Sequence, residues 1–302
     1  MDIVDLIRGA GDVFTIAEVG LAHEGSLGMA HAYIDAAADC GVKAVKFQTH
    51  IASEESTAQE QFRVRVFPQD KTRYQYWERT GFEKSQWLEL ASHAKDRDLW
   101  FLSSPFSNLA VEWLSECGVP AWKVASGELT NFPMLHKMCD TGLPILVSSG
   151  MSSWKELTDS VDLIRSRNVG FAIFQCTTSY PCAPENWGLN VMQEIRERFR
   201  CPVGLSDHSG DIFAGLAAVA MGATMIEFHI AFSKQQFGPD AKASLTIEQA
   251  RALVLGVAQI RKALGNPVNK DQQAAKLAPL HALFTKSIVS ARSLTAGTKL
   301  SI

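Results

Sequence analysis

Along this chain, short runs of β-branched and aromatic residues alternate with stretches in which apolar positions recur every three or four residues. The runs fall at 13–19 (VFTIAEV), 43–47 (KAVKF), 98–103 (DLWFLS), 119–125 (VPAWKVA), 144–148 (PILVS), 169–175 (VGFAIFQ), 202–205 (PVGL) and 222–228 (GATMIEF). Each reads as a strand followed by a helix-length segment. Met29, Tyr33, Ala36 and Ala37 before Gly41, and Leu157, Val161 and Ile164 after Met151, have the spacing of one helical face. Strands that alternate with helices pair in parallel, because the crossover helix returns the chain to the same end of the sheet. Eight such units over 13–265 predict an α/β fold, a closed (β/α)8 TIM barrel. An open doubly wound sheet fits less well, since the first strand-to-helix turn, EVGLAHEG, lacks the G-x-G-x-x-G of a dinucleotide site.

Two segments break the repeat. The insertion at 50–82 (containing FRVRVFPQDKTRYQYWERTGF) follows the second strand, on the face where barrel loops carry chemistry, and reads as a lid or wall. After the eighth helix at 247–264, the barrel (1–265) gives way to a polar linker (266–286) and then to SIVSARSLTAGTKLSI (287–302), which reads as the opening of a small β-rich module. The 302 residues accommodate one α/β barrel of about 250 residues with an appendage.

Composition narrows the function classes. With 46% hydrophobic and 20% charged residues, the chain is globular rather than disordered, collagen-like or coiled-coil. Its 29 Lys and Arg against 32 Asp and Glu, with no block of like charge, leave no footprint for nucleic acid, so an anionic ligand needs a local positive pocket. No apolar stretch approaches roughly 18 residues, and MDIVDLIRGAGDVF lacks the form of a signal peptide; the expectation is a cytoplasmic protein with no membrane partner. Cys40, Cys117, Cys139, Cys176, Cys182 and Cys201 form no C-x-x-C pair and read as reduced, mostly buried thiols. Cys176, beside polar residues at a strand end, is the candidate exception.

Polar and ionisable residues collect where the apolar runs end, which in a TIM barrel is one face of one pocket. They are Glu18; Lys46 and Gln48; Ser103 and Ser104; Lys123, Ser126 and Glu128; Ser148, Ser149 and Gly150; Thr177, Thr178 and Tyr180; Ser206, Asp207 and His208; and Glu227 and His229. A buried ammonium needs a partner, so Lys46 and Lys123, each among apolar neighbours, point either to a phosphate cradle with Ser104, Ser126, Ser148 and Gly150 or to structural salt bridges with Glu18, Glu128 or Glu227. His208 and His229 end neighbouring strands and could converge on one divalent metal acting as a Lewis acid, with positions left open for substrate. His31, His50, His93, His136 and His281 read as surface or packing residues, and His23 is left open. Asp240, after a Gly-Pro turn, could bond a polyol hydroxyl or cap the last helix.

In these segments the chain resembles the sialic acid synthase (N-acetylneuraminate synthase) family, from about residue 14 to the C-terminus. The resemblance rests on IAEVGLAHEG, KAVKFQTH, SSPF, VPAWKVASGELTN, VSSGM, QCTTSYP, PVGLSDHSG, the E-x-H of IEFHIAF, and GPDAKAS. TRYQYWERTGF is also similar to the branch holding legionaminate and spore-coat polysaccharide synthases. The resemblance implies a metal-dependent condensation of phosphoenolpyruvate with the aldehyde of an N-acylated mannosamine-type sugar, releasing phosphate. It implies a metal, Mn²⁺ first and Mg²⁺, Co²⁺ or Zn²⁺ as alternatives, on His208 and His229. Phosphoenolpyruvate contacts then fall on Lys46, Ser104, Lys123, Ser126, Ser148 and Ser206. Sugar contacts fall on Glu18, Gln48, Glu128, Tyr180 and Asp240, and either Glu18 or Glu128 would stabilise the cation or activate water.

Thr178 stands where some members have an Asn that helps bind phosphoenolpyruvate, Phe228 replaces a polar residue inside E-x-H, and Ala241 replaces a His after GPD. SARSLTAGTKLSI resembles the opening of the antifreeze-like (SAF) domain that completes the family's sugar pocket across a swapped homodimer. The remainder of that domain, with its sugar-anchoring arginine, is not in this sequence, so the expectation is a barrel that binds phosphoenolpyruvate and metal but turns over poorly. Two other readings stay open: a deoxyoctulosonate or deoxyheptulosonate phosphate type of synthase, whose second phosphate could meet Arg63, Arg65 and Arg73, and a non-catalytic sugar-binding barrel.

Overall fold

The computed structural model describes residues 12–62 and 69–299. All eight expected strands form: β1 (Phe14–Gly20), β2 (Ala44–Thr49), β3 (Trp100–Pro105), β4 (Trp122–Val124), β5 (Ile145–Ser148), β6 (Phe171–Cys176), β7 (Val203–Asp207) and β8 (Met225–Ala231). Their ladders are parallel, in the order β3-β2-β1-β8-β7-β6-β5-β4, and β3 packs beside β4 so that the sheet nearly closes. A two-residue strand, β9 (Leu245–Thr246), pairs with the end of β8. The helices are α1 (Leu27–Cys40), α2 (Ala52–Glu55), α3 (Arg73–Thr80), α4 (Lys84–Asp96), α5 (Asn108–Glu116), α6 (Phe132–Asp140), α7 (Trp154–Ser166), α8 (Leu189–Phe199), α9 (Phe213–Ala220), α10 (Ile247–Leu264), α11 (Lys270–Lys276) and α12 (Ala278–Phe284). One helix of the barrel follows each of β1 to β8, with α2 and α3 added after β2. The chain is therefore the (β/α)8 TIM barrel that the alternation predicts.

The two-residue period of the strands sorts the core into two layers. Ile16, Ala44, Leu102, Ala121, Leu146, Ala172, Phe174 and Met225 fill the barrel interior. Ala17, Val45, Phe47, Val147, Ile173, Leu205, Ile226 and Phe228 point outward and pack under the helices. Space inside is tight: a Cβ on Gly204 would lie 2.6 Å from the Met225 carbonyl oxygen. Ser26, Ser107 and Ser153 start α1, α5 and α7 by accepting the N–H of Met29, Ala110 and Glu156, and Ser153 completes a capping box with Glu156.

The insertion is a wall rather than a free lid. Tyr76 and Trp77 of α3 pack with Leu21 and Ala52. The Arg79 guanidinium donates to both Asp70 carboxylate oxygens (2.8 to 3.2 Å) and to Glu24 Oε2 (3.0 Å), tying α3 to the loop after β1.

The chain divides into two compact units, Met1–Leu264 and Gly265–Ile302. In the second, much of the segment expected as a polar linker is helical, as α11 and α12. Asn269 supplies the reason at one end, its side-chain oxygen accepting the Gln272 N–H at 3.0 Å, and KDQQAAK consists mostly of good helix formers. No strand forms among the described residues 287–299, where the sequence suggests a β-rich opening. A strand needs a paired neighbour to satisfy its backbone, and no described residue there supplies one. Among the described residues no helix is long and apolar enough to cross a membrane. All six cysteines are free.

Candidate active site

Strand register assembles the site. Ile16 belongs to the interior layer and pairs with Glu227, so Glu227 points inward too. Glu18, two residues on from Ile16, lies level with Lys46 on β2 and His229 on β8. Gln48 is level with Ser104, Cys176 with Ser206, and Ser206 with Glu227. Above the apolar floor, the next inward positions are therefore polar all round the barrel.

They line an inner cavity of about 180 Å³ that brings together Glu18, Lys46, Gln48, Ser104, Lys123, Ser126, Ser148, Thr178, Tyr180, Ser206, His208 and His229. An outer cavity of about 710 Å³ shares Gln48, Phe106, Gly127 and Tyr180 with it. Glu128 and Asp240 line this outer space with His50, Glu54, Glu55, Arg73, Tyr76, Trp77 and Asn131. The residues expected to hold substrate or metal thus border one of the two cavities, whereas Ser103, Ser149, Thr177 and Asp207, also expected on this face, line neither.

The lysines form salt bridges with two of the three carboxylates expected as partners. Lys46 Nζ lies 2.6 Å from Glu18 and 3.9 Å from Glu227, while Lys123 Nζ lies 3.4 Å from Glu227. Glu128 takes neither lysine. Both ammonium groups also face the cavity hydroxyls, Lys46 donating to Ser104 (3.4 Å) and Lys123 to Ser148 (2.6 Å). Glu227, one of the three partners expected for the lysines, is the hub: it meets both of them and accepts the Ser206 hydroxyl at 2.9 Å. Burial works against its ionisation, yet Lys123 and Lys46 outweigh burial and hold the carboxyl down at about 2. Burial pushes Glu18 up, against Lys46. It also lowers Lys123, whereas for Lys46 the pull of burial is overcome by Glu18 and Glu227 and the net direction is up.

Gly150 lies behind one corner of the inner cavity, against the Ser126, Thr178 and Cys176 side chains that line it. Gly150 N–H donates to Ser126 Oγ at 3.1 Å, and a Cβ there would lie 2.5 Å from both Ser126 Oγ and Thr178 Oγ1. Cys176 borders the same corner, and the Ser126 hydroxyl points at its sulfur (3.7 Å). Burial pushes this thiol up, so it stays protonated rather than nucleophilic.

His208 and His229 stand together as expected, their ring centres 5.3 Å apart. His208 Nδ1–H donates to the Thr177 carbonyl (2.9 Å), which leaves the lone pair on Nε2, where the Tyr180 hydroxyl donates at 3.1 Å. Burial first, then the neighbouring His229, lowers His208 to about 3, so the ring is neutral, the form that ligates metals. His229 Nδ1 is buried without a hydrogen bond, 3.6 Å from Asp240 Oδ2. A neutral imidazole and an unsatisfied ring nitrogen fit an ion held by two protein nitrogens. Among the described residues no group of three or more His, Cys, Asp or Glu is disposed to hold one.

In the outer cavity, the Asp240 side chain makes no capping hydrogen bond and faces His229 instead. Glu128 accepts from Asn131 Nδ2 (2.9 Å), and burial pushes its carboxyl up. His50, expected as a surface or packing residue, is buried, borders the outer cavity and is hydrogen bonded at both ring nitrogens. Its position two residues after Gln48 was the available clue. His23 is structural: it stacks on Phe82, and burial lowers it to about 3. Arg73 lies over the Trp77 ring at 4.4 Å; Arg63 and Arg65 fall outside the described residues. Phe228, the departure inside E-x-H, packs under the helices and so leaves the cavity unchanged.

A family model described as the NeuB family matches residues 33–269. The chain is 33% identical to the N-acetylneuraminate-9-phosphate synthase of Mus musculus, over 98% of this chain and 83% of that protein. It is 33% identical to the N,N'-diacetyllegionaminic acid synthase of Campylobacter jejuni, over 86% and 79%. The crystal structure of an N-acetylneuraminic acid synthetase from Leptospira borgpetersenii superposes with a TM-score of 0.78 at 29% identity, covering 90% of this chain and 92% of the other. Matches of this length in sequence and in fold agree with the motifs at the strand ends, and the chain belongs to the NeuB family.

Proposed function

We propose that this protein is a nonulosonic acid synthase that condenses phosphoenolpyruvate with the open-chain aldehyde of an N-acylated mannosamine-type sugar. One observation carries the reading: two buried lysines and two converging histidines line a small cavity that opens into a larger one walled by Glu128, Asp240 and aromatic rings.

Phosphoenolpyruvate occupies the inner cavity. Its phosphate and carboxylate take charge-assisted hydrogen bonds from Lys46 and Lys123 and hydroxyl donors from Ser104, Ser126, Ser148 and Ser206, with Thr178 at the rim. The sugar occupies the outer cavity, aldehyde end inward, against Gln48, Glu128, Tyr180 and Asp240. C3 of the enol attacks the aldehyde carbon, and the new hydroxyl takes a proton. Water adds to the cationic C2 and loses a proton, and phosphate departs with cleavage of the C2–O bond. Glu18, the acid of the two that borders the inner cavity, faces that cation and water. A divalent metal, Mn²⁺ first among Mg²⁺, Co²⁺ and Zn²⁺, would be held by His208 and His229 and supply Lewis acidity to the aldehyde oxygen. Glu54, Glu55, Glu128 and Asp240 against Arg73 favour an uncharged acceptor over a sugar phosphate.

The test is phosphate release from phosphoenolpyruvate with Mn²⁺, offering N-acetylmannosamine, its 6-phosphate and a 2,4-diacetamido-trideoxy sugar in turn. Release is expected with an unphosphorylated sugar and is abolished by chelator. Release with the 6-phosphate alone would move the protein to the sugar-phosphate type of synthase. Sugar binding without any release would make it a non-catalytic barrel.

A further inference from the structure

His50 follows β2 and precedes α2, in the wall between barrel and insertion. Its ring stacks on Trp77 (centres 5.1 Å apart, planes 12° apart) and on Phe106 (4.0 Å, 18°). Nδ1 lies 3.0 and 2.8 Å from the two oxygens of Glu55, whose Oε1 also accepts the Ile51 N–H. Nε2 faces Gln48 Oε1 at 3.4 Å, and the Gln48 amide nitrogen donates to Glu18 Oε1 at 3.0 Å. A continuous line therefore runs Glu55, His50, Gln48, Glu18, Lys46, from the outer cavity into the inner one.

The proton count along this line is constrained. Gln48 turns its NH2 to Glu18, which lies 2.6 Å from Lys46, and its carbonyl oxygen to His50. That oxygen can only accept, and the same holds for the Glu55 carboxylate. Both ring nitrogens of His50 must then donate, which makes the ring an imidazolium, paired with Glu55 and lying against two aromatic faces. Glu54, Glu128, Asp240 and Arg73 are the other charged groups around this cavity, and His23 lies behind the wall close enough to feel His50.

We propose that His50 is a cationic positioning residue that fixes the orientation of the Gln48 carboxamide, and through it the groups offered to the acceptor sugar where the two cavities meet. The kinetic consequence rests on the function proposed above; the proton count does not. Without His50 the Gln48 amide can rotate, and the acceptor meets a mixture of donor and acceptor faces. Phosphoenolpyruvate, held by the lysines and serines, is not affected.

Two measurements on the full chain test this. In ¹⁵N-histidine NMR near neutral pH, the resonances lost in His50→Phe are expected to be those of a ring protonated at both nitrogens; a neutral tautomer there overturns the proposal. In phosphate-release kinetics, His50→Phe keeps a ring for the stack but no donor. It is expected to lower kcat/KM for the sugar about tenfold, the scale of a hydrogen bond to a charged group, with KM for phosphoenolpyruvate unchanged. Gln48→Ala is expected to lose at least as much, and the double variant no more than Gln48→Ala alone. Additive losses, or a His50→Phe enzyme with unaltered kinetics and thermal melting, would show that His50 only packs. If the unaltered chain releases no phosphate with any sugar, the proposed function falls, and the NMR result alone decides the charge of His50.

Discussion

The inner and outer cavities share a border but are built by different rules. Most inner side chains sit on strands or within a few residues of their ends, so backbone ladders on both sides set their positions, and their charges are closed into pairs 2.6 to 3.9 Å long. The outer cavity is built chiefly from loops and the insertion, with half-buried carboxylates and stacked rings. The difference separates two tasks. Handling phosphate and the reacting carbons requires geometry that only a scaffold can hold, whereas fitting one sugar rather than another is left to segments that can change without disturbing the barrel.

The sharpest way to break this comparison is at Glu227. Glu227→Ala would leave two buried ammonium groups beside one remaining carboxylate. Removing one partner from a buried ion cluster typically destabilises by about 3 to 5 kcal/mol, so this variant is expected to show the largest loss in denaturant unfolding, together with loss of turnover. Unchanged stability would mean that water reaches the lysines, and that the inner cavity is no more closed than the outer.

A smaller effect is expected behind the wall, where His23 is buried with its Nε2 unpartnered and stacked on Phe82. Burial lowers it from 6.5 to about 3, with the nearby His50 adding to the shift. Above pH 6.5 the ring is neutral folded and unfolded alike and contributes no pH dependence. As pH falls from 6.5 toward 3, the unfolded chain takes up a proton that the folded chain refuses, and stability drops by up to about 1.4 kcal/mol per pH unit. Unfolding free energies of the protein and of His23→Phe, compared between pH 7 and pH 5, should diverge by that slope; parallel curves would contradict it.

Changes confined to the outer cavity should leave the barrel intact. Glu128→Gln and Asp240→Asn are each expected to raise KM for the sugar about tenfold, one lost charge-assisted hydrogen bond, with KM for phosphoenolpyruvate and the unfolding midpoint unchanged. Equal changes in both KM values would mean that the cavities are not divided between the two substrates.

The same contrast decides what can be read without coordinates. Glu18, Lys46, Lys123 and Ser206 are polar residues within apolar strands, and strand parity alone turns them to one side, so the inner site is legible from the alternation. Glu227 has the same parity as His229 and is readable as a possible lysine partner; that both lysines converge on it shows only in three dimensions. The outer residues carry no such period. His50, Glu55, Trp77 and Asn131 meet because a 33-residue insertion folds back over the β1 and β4 loops, and no local pattern encodes which loop residues will face one another. The first helix of the second unit was missed for a related reason, since KDQQAAK has helix-forming residues but no apolar stripe to announce it.

The smallest expected effect tests whether the outer wall is a separate unit of stability. Arg79 forks on Asp70 within the insertion and bonds the Glu24 carboxylate and carbonyl oxygens in the loop after β1, and its side chain is about one-third exposed. Arg79→Lys keeps the charge and removes the fork, so the loss should stay below about 1 kcal/mol, the range of a partly solvated pair. If the wall opens on its own, that loss appears as faster amide exchange and proteolysis within 50–82, while the barrel strands stay protected and the global melt barely moves. Exchange that rises equally in β1 and β8 would show that wall and barrel open together, and the division between rigid chemistry and adjustable fit would then lie elsewhere than at the border of the two cavities.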